Sequence, residues 1–398
     1  MIKKSGFRSI FEGCLPLFVL AHLAHHLVTA LPVPLLPFIR DDFGLDYMQA
    51  GLVISAFGVV YGISQLPAGW LADRIGARRL ITIGIIGVAV TGILAGLSQS
   101  YLMLIVFLAL MGILGGGYHP AATTTISAIA GPKTLGRAMG FHMMGGSGSF
   151  FLVPLIAAAL AAAWGWRGTF IAIAIPTIIF GIILHIMLRR QTAARETAGQ
   201  TTADYAESPP PPGYLRRLLP VMVISTFTQA VILSVVSFIP LYLVDIFGTG
   251  KEAAAASISL VYAVGLVAGP MGGYLSDRFG RVTMIGIACF TAVAAIFSLN
   301  LASYGIGTGA LLVIIGIVIY INTTSAQAFI VDNTPSRKRS TMLGVYFFGT
   351  MEGNGILTPV IGYLIDRFGF YTSFGLTSGS VLAVTLAGFL FFLANRNR

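Results

Sequence analysis

The stretch Gly69-Trp70-Leu71-Ala72-Asp73-Arg74-Ile75-Gly76 carries the strongest fold signal in the chain, because it occurs twice. The second copy reads Gly273-Tyr274-Leu275-Ser276-Asp277-Arg278-Phe279-Gly280, at an offset of 277 − 73 = 204 residues. Each copy is a short charged segment between long apolar runs. A charged loop repeated between apolar segments is typical of a membrane protein built from two related halves.

The composition excludes a soluble globular protein. Of the 398 residues, 56% are hydrophobic and only 10% are charged, and the mean hydropathy is +0.88. Soluble domains carry about 25% charged residues. Crossing a bilayer takes about 20 apolar residues, and runs of that length fill nearly the whole chain. They fit twelve transmembrane helices.

The positive charges predict the orientation in the membrane. The net charge of +10 lies in short loops, which argues against a nucleic-acid partner. If the N-terminus is cytoplasmic, only Arg40, Arg167, Lys251 and Arg367 of the 24 Lys and Arg residues fall outside. Positive residues favour the cytoplasmic side. We therefore expect a multi-pass protein of a cell membrane, of the bacterial inner-membrane type, with both termini cytoplasmic and the lipid bilayer as its partner.

The 204-residue offset extends beyond the charged motif. Asp41, Phe43, Gly44 and Gly165, for example, recur as Asp245, Phe247, Gly248 and Gly369. The predicted fold is an all-α membrane protein with twelve transmembrane helices in two parallel six-helix repeats. The predicted domains are an N-terminal bundle over residues 1–190, a cytoplasmic linker over 191–214 and a C-terminal bundle over 215–398.

The pattern resembles the major facilitator superfamily over essentially the whole chain. The motif of that family in the loop between spans 2 and 3 is matched by Gly69, Asp73, Arg74, Gly76, Arg78 and Arg79. Tyr118-His119-Pro120 and Gly145-Gly146 resemble the fosmidomycin-resistance-type branch, a drug efflux branch. The stretch Leu108–Met111 lacks the arginine that many proton-coupled drug exporters carry in span 4.

The resemblance implies a gate on the cytoplasmic side. In the family, the motif between spans 2 and 3 latches the two halves in the outward-facing state. Asp73 can accept bonds from a helix N-terminus and from basic loop residues, whereas the alternative is a charge that only sets topology. Asp332 is expected near Arg278 and Arg281 by the same analogy. The predicted gating residues are Gly69, Asp73, Arg74, Gly76, Arg78, Arg79, Arg137, Gly273, Asp277, Arg278, Gly280 and Asp332.

Glu352 is the only acidic residue in the middle of a predicted span. An ionised carboxylate there costs a few kcal/mol on insertion scales, so it should face a wet cavity, pair with a partner, or be protonated. It is predicted to couple transport to protons or to bind a cation. The alternative is a protonated carboxyl that bonds a neighbouring helix.

Span 1 carries His22, His25 and His26. Their spacing places His25 and His26 each on a face shared with His22. Three interpretations stay open: polar lining of a cavity, a proton relay or substrate contact, and a transition-metal site. No second cluster of Cys, Asp or Glu accompanies them, so no metal site is predicted. His142 and His185 are interpreted as structural.

Polar residues at repeat-related positions predict the substrate site. His25 corresponds to Gln229 and Tyr118 to Asn322, both at the 204-residue offset. In the family, spans 1, 4, 7 and 10 line the cavity. The predicted substrate contacts are His25, Tyr118, His119, Gln229, Asn322 and Gln327, with Gln65 and Asn354 as secondary candidates. For each, a helix-to-helix hydrogen bond is the alternative.

The sequence thus predicts a secondary active transporter. No GxSxG, P-loop or HExxH motif is present, so neither an enzyme nor an ATP-driven pump is expected. The small-molecule substrate is expected at the midplane between the halves, exchanged by alternating access. An ion gradient, most plausibly of protons through Glu352 with help from the histidines, replaces any cofactor. Efflux by antiport is the favoured direction, with proton-coupled uptake and a non-transporting sensor as alternatives, and the monomer is the expected functional unit.

Overall fold

The computed structural model describes residues 15–129, 135–196, 214–335 and 338–395, and no strand occurs among them. Those residues form fourteen α-helices. In the first half of the chain they are α1 Leu15–Thr29, α2 Pro32–Phe43, α3 Tyr47–Gln65, α4 Ala68–Ile75, α5 Ala77–Gly96, α6 Tyr101–Gly115, α7 Tyr118–Ile129 and α8 Leu135–Glu196. In the second half they are α9 Tyr214–Phe247, α10 Lys251–Ala263, α11 Gly265–Phe279, α12 Arg281–Ser298, α13 Ile306–Asp332 and α14 Arg339–Asn395.

The described helices are long and apolar enough to cross a membrane many times. Ten segments qualify, and two of them, Ala138–Arg190 and Thr341–Ala394, exceed 50 residues. A straight helix of that length would measure roughly 80 Å, against a hydrocarbon core of about 30 Å. Each is interrupted by one non-helical glycine, Gly165 in α8 and Gly369 in α14. The all-α membrane fold is therefore confirmed. Counting each interrupted helix twice would give 10 + 2 = 12 spans, a number that stays a prediction.

The backbone carries the 204-residue repeat that the sequence predicts. Among the described residues, seven glycines have a positive φ, and six of them form three pairs at that offset. Gly76 and Gly280 have φ of 86° and 92°, and Gly165 and Gly369 have 68° and 73°. The third pair is Gly44 and Gly248. A left-handed backbone costs an L-residue roughly 1–2 kcal/mol, so glycine stands where both repeats turn.

The contacts divide the chain into two compact units. The first unit comprises Met1–Phe38 and Val59–Asp204, and the second comprises Ile39–Gly58 and Tyr205–Arg398. The predicted bundles over 1–190 and 215–398 stay a prediction. Within the predicted linker, residues 197–213, including the run of four prolines, lie outside the described residues, whereas 191–196 extend α8.

In the first unit, helices approach closely at glycines. A Cβ added to Gly84 on α5 would lie 2.8 Å from Cβ of Tyr118 on α7. One added to Gly145 on α8 would collide with the carbonyl oxygen of Val19 on α1. Small residues let transmembrane helices associate by van der Waals contact, because lipid offers no hydrophobic driving force. The buried core around these crossings includes Phe18, Ile81, Ile85, Tyr118 and Leu184.

The second unit packs α9 against α14 in the same way. A Cβ on Gly353 would lie 2.8 Å from Cβ of Ala230, and one on Gly388 would collide with the side chain of Ile224. Residues 39–58 also belong to this unit. Within it, a Cβ on Gly51 of α3 would lie 2.8 Å from Cα of Pro359 on α14. These approaches fix α14 between α9 and α3.

A polar network at one end of the second unit joins α2 and α3 to α9 and α14. Both terminal nitrogens of Arg40 bond the carboxylate of Asp245, which also accepts the hydroxyl of Tyr47 at 2.6 Å. Asp366 accepts the backbone N–H groups of Tyr47 and Met48, both at 2.9 Å, and so caps the N-terminus of α3. A bidentate Arg–carboxylate pair adds geometric specificity.

This network reflects the repeat. Asp41 and Asp245 are repeat-related, as are Tyr47 and Lys251, since each pair differs by 204. Tyr47 bonds Asp245, and Lys251 forms an ion pair with Asp41 at 2.6 Å. Positions 47 and 251 are therefore equivalent in the repeat, and each contacts the aspartate of the other repeat, the first through a phenol hydroxyl and the second through an ammonium group.

Replacing Gly369 with Ala should lower the melting temperature of the purified protein. The position has φ of 73° and open space around it, so the loss comes from backbone strain alone, about 1–2 kcal/mol. Thermal unfolding followed by intrinsic fluorescence measures it. Gly379→Ala, in the same helix and also with open space, is the control and should be neutral or stabilising by about 0.5–1 kcal/mol. Equal melting temperatures for the two variants would contradict the assigned backbone strain.

Candidate functional site

Five histidines from three helices meet inside the first unit. His22, His25 and His26 come from α1, His119 from α7 and His142 from α8. The ring centroid of His22 lies 5.0 Å from that of His26, 4.9 Å from that of His119 and 4.2 Å from that of His142. We call these five residues the histidine cluster. The sequence pattern on span 1 accounts for three of these five histidines, and the fold adds His119 and His142.

Backbone carbonyls orient two rings of the cluster. Nδ1 of His22 lies 2.8 Å from the carbonyl oxygen of His142, and Nδ1 of His142 lies 3.0 Å from that of Phe18. A carbonyl only accepts, so both Nδ1 atoms donate. In a neutral ring, the lone pair is then on Nε2. These bonds join α1 and α8 reciprocally.

His25 is fully buried and held on three sides. Its Nδ1 donates to the carbonyl of Gly84 at 3.2 Å, and its Nε2 lies 3.3 Å from the hydroxyl of Tyr61. Its ring stacks on Tyr118, with centroids 4.6 Å apart and planes inclined by 14°. Both His25 and Tyr118 have no exposed surface. Their predicted contact with substrate stays a prediction, while the structure shows them packing against each other.

The accessible side of the cluster is formed by His26 and His119. Both are partly exposed, whereas His22, His25 and His142 are buried. The ring centroids of His26 and His119 lie 5.3 Å apart, and the ring centroid of His26 lies 4.8 Å from that of Phe150. One ring nitrogen each from His22, His26 and His119 lies within 4.8 Å of the others, so this triplet can hold a metal ion.

The second unit has a buried amide and hydroxyl site at the corresponding place. Asn322 on α13 donates to Oε1 of Gln229 and to the carbonyl of Ser225, both at 3.1 Å. It accepts from the Ser225 hydroxyl at 2.9 Å. Asn322 and Ser225 have no exposed surface, and Gln229 is 4% exposed. The predicted contacts Gln229 and Asn322 therefore bond each other.

These two sites are related by the repeat. His25 and Tyr118 stack in the first unit, and their counterparts Gln229 and Asn322 are hydrogen-bonded in the second. In both units the pair joins the first helix of the repeat to the fourth predicted span. The sequence predicted the pairing by position but not the contact between the partners.

Glu352 lies on α14, about two turns before Pro359, where α14 approaches Gly51 of α3. Its carboxylate is half-buried, and Oε1 has no hydrogen-bond partner among the described residues. On the neighbouring turns, Gly349 approaches Thr226 and Gly353 approaches Ala230 of α9. The sequence left two alternatives open for Glu352, a carboxyl that couples transport to protons and a structural carboxyl that bonds a neighbouring helix. The absence of a partner at Oε1 among the described residues favours the first alternative.

The remaining predicted contacts belong to both units. Asn354 donates to the hydroxyls of Ser234 and Thr358, each at 3.2 Å, inside the second unit. Gln327 is partly buried on α13 in the same unit. Gln65 is partly buried at the end of α3, in the first unit.

The second copy of the charged motif forms an ionic cluster. Arg281 pairs with Asp277 and donates to Asp332 at 3.0 Å and to the hydroxyl of Ser276 at 2.7 Å. The expected neighbour of Asp332 is therefore Arg281. Arg278 instead lies 3.5 Å from the hydroxyl of Tyr274.

The first copy is described only in part. The surroundings of Gly69 and the side chains of Asp73 and Arg137 lie outside the part of the chain that the structure describes. Arg74 stacks over the ring of Trp70, 4.2 Å from its centroid. Gly76 turns the chain between α4 and α5 with φ of 86°. The predicted latch of Asp73 stays a prediction.

Two members of the site have no signal in the sequence that places them there. His142, which the sequence interprets as structural, bonds the carbonyl of Phe18 and stacks on His22, and the structural interpretation stays a prediction. Tyr61 on α3, whose hydroxyl lies 3.3 Å from Nε2 of His25, is the second. No sequence motif around His142 or Tyr61 links either residue to span 1. Only the crossing of α8 and α3 with α1 places them there, and the sequence predicts no such crossing.

Comparison with known proteins identifies the family. The family model described as Major Facilitator Superfamily matches residues 18–353. The chain belongs to the Major Facilitator Superfamily. It is a multi-pass membrane protein of a transporter family, as the charged motif and its second copy predicted. The predicted resemblance to the fosmidomycin-resistance branch is also confirmed.

Curated relatives and solved structures agree with this family. A probable sulfoacetate transporter of Cupriavidus necator is 26% identical, over 89% of this chain and 87% of that protein. The fosmidomycin resistance protein of Escherichia coli is 24% identical, over 89% and 87%. A bacterial homologue of the human lysosomal transporter Spinster has the same fold, with a TM-score of 0.76 at 19% identity, over 96% of each chain.

Asn322→Ala should destabilise the protein more than Gln327→Ala, on the same helix. The first change removes three interhelical bonds and leaves Ser225 and Gln229 buried without their partner. Each such bond in a membrane contributes about 0.6 kcal/mol on average and up to about 1.7, so we expect about 1–3 kcal/mol. Thermal unfolding in detergent measures the difference. A Gln327 variant that melts as low as the Asn322 variant would contradict this assignment.

Proposed function

We propose that this protein is a proton-coupled secondary transporter that exports a small organic molecule by alternating access. It works as a monomer in the cell membrane, with both termini in the cytoplasm. The family supports the transport function, and the excess of Lys and Arg in the predicted inner loops supports the orientation. The proton gradient supplies the energy, and no cofactor is required.

The observation that supports proton coupling is the environment of the Glu352 carboxyl group. Its Oε1 is buried without a hydrogen-bond partner among the described residues. A charge within a membrane span is costly, and intramembrane acidic residues mark proton relays in transporters. Binding a proton removes the charge and supplies a donor. A carboxyl that lacks a fixed partner is free to exchange its proton during a transport cycle. We assign coupling to Glu352 alone.

The direction of transport rests on the named relatives. Similarity to a fosmidomycin resistance protein supports export. The second candidate is proton-coupled uptake of a small metabolite, and similarity to a probable sulfoacetate transporter supports a small organic anion as its substrate. The two candidates differ in the sign of proton movement relative to substrate.

Inside-out membrane vesicles that contain the protein, with a pH indicator in the lumen, test the direction. Drugs, phosphonates, organic acids and sugars are added one at a time. Export by antiport predicts that protons leave the lumen when a substrate enters it. Proton entry together with a compound would establish symport instead. Silence across the panel with a folded protein would contradict proton coupling, and binding of a labelled ligand would then test the transport function separately.

Glu352→Gln should abolish substrate-driven proton movement while leaving substrate exchange intact. Glutamine keeps the size and polarity of the side chain but cannot release a proton. We expect proton flux to fall at least tenfold, whereas exchange of labelled for unlabelled substrate without a gradient continues. The same vesicles measure both quantities.

Glu252→Gln is the matched control for this experiment. Glu252 is an exposed carboxylate in the first turn of α10, and its loss should leave both fluxes unchanged. If Glu352→Gln retains the proton flux of the unmodified protein, Glu352 is not the coupling group. Loss of exchange as well as proton flux would point to a structural role.

A further inference from the structure

Three members of the histidine cluster form a nearly equilateral triangle. The ring centroids of His22, His26 and His119 are 5.0, 4.9 and 5.3 Å apart. One nitrogen from each ring lies within 4.8 Å of the other two. The triangle contains two residues one helical turn apart on α1 and one residue from α7.

We propose that this triangle binds one divalent transition-metal ion, with Zn²⁺ and Co²⁺ as its probes. Imidazole nitrogen suits zinc and its first-row neighbours, and three histidines leave a fourth position open for water or a ligand. Zinc–nitrogen bonds of about 2.0–2.1 Å place tetrahedral ligands roughly 3.4 Å apart. The rings must therefore close by about 1 Å, which the partly exposed His26 and His119 can accommodate.

Hydrogen bonds at Nδ1 orient the rings of His22 and His26 in the way that is usual for metal-binding histidines. A metal-binding histidine usually donates its other N–H to a carbonyl or a carboxylate, which fixes the tautomer. Nδ1 of His22 donates to the carbonyl of His142 at 2.8 Å, so Nε2 keeps its lone pair for a metal. Nδ1 of His26 lies 3.1 Å from the hydroxyl of Thr29, which leaves its Nε2 as the available ligand atom.

A second, independent observation points to a ligand at this place. His142 is 1% exposed, and its Nε2 has no hydrogen-bond partner among the described residues. Its Nδ1 donates to the carbonyl of Phe18, and its ring stacks 4.2 Å from that of His22. A buried polar atom without a partner is unfavourable, because it has lost its hydrogen bonds to water. This unpartnered nitrogen belongs to the ring stacked directly on His22, one of the three proposed ligands, and it is available to bond a water that accompanies the ion.

The repeat shows that the fold does not require imidazoles here. At the 204-residue offset, His22, His26, His119 and His142 correspond to Thr226, Ala230, Thr323 and Tyr346. The second unit packs its equivalent helices with those side chains, and α9 and α14 approach closely there. Four histidines in one repeat against none in the other indicate a chemical role rather than a packing role.

Titration of the purified full-length chain with Co²⁺ tests the proposal, after any affinity tag has been removed. Co²⁺ held by nitrogen ligands absorbs visible light, and Zn²⁺ should displace it. We expect one Co²⁺ per chain. His119→Gln should weaken binding at least a hundredfold. His185→Gln should bind as the unmodified protein does, because His185 bonds Thr82 and lies outside the cluster.

A conservative variant separates ligation from packing. His119→Cys restores a metal ligand of different shape and should recover Co²⁺ binding with a new sulfur-to-metal absorption band. If His119→Gln fails to fold, His26→Gln replaces it with the same expectation. The proposal is overturned if the folded, unmodified protein binds no Co²⁺, or if His119→Gln binds it as tightly. Equal weakening by His185→Gln would also overturn it.

Discussion

The hydrocarbon core of a membrane offers no water, so a polar side chain there either faces a water-filled cavity or bonds another part of the protein. This constraint explains most of the structure around the site. His22 and His142 donate to carbonyls across α1 and α8, and Asn322 bonds Ser225 and Gln229 across α9 and α13. Such bonds fix the register of helices that lipid alone would leave free to slide. Among the buried polar atoms that have no hydrogen-bond partner within the described residues are Nε2 of His142 and Oε1 of Glu352. Both belong to groups that can exchange a proton, and they are therefore functional candidates.

The two repeats share a backbone but not a chemistry. Glycines with positive φ recur at the 204-residue offset, so both halves turn and break at equivalent places. The side chains that fill equivalent positions differ, since imidazoles stand in the first repeat where hydroxyl, methyl and phenol groups stand in the second. Glu352 has Gly148 as its counterpart in the first repeat. Duplication thus preserves the scaffold, while each half retains its own reactive groups.

The sequence predicted the fold well, because membrane spans and repeats are local signals. Long apolar runs, the charge asymmetry and the doubled motif around Asp73 and Asp277 are readable without tertiary contacts. The site was harder. In the sequence, no second cluster of Cys, Asp or Glu accompanies the histidines of span 1, whereas the fold brings His119 and His142 to them. These lie 97 and 120 residues from His22 along the chain. Which helices cross α1 depends on packing at Gly145 and Gly146, which approach Val19 and His22, and single-sequence periodicity does not contain that information.

The histidine cluster also bears on which substrates the protein can take. In neutral rings, the Nδ1 atoms of His22 and His142 donate to carbonyls, so each of these two rings offers only an acceptor at Nε2, whereas Nε2 of His25 lies against the hydroxyl of Tyr61. A set of acceptors attracts cations and hydrogen-bond donors and repels an oxyanion. A bound divalent ion reverses that preference, because the ion then carries the largest local charge. Its open position would accept a carboxylate, sulfonate or phosphonate oxygen. Occupancy of the triangle by a metal would therefore decide whether this face of the first unit favours cationic or anionic molecules.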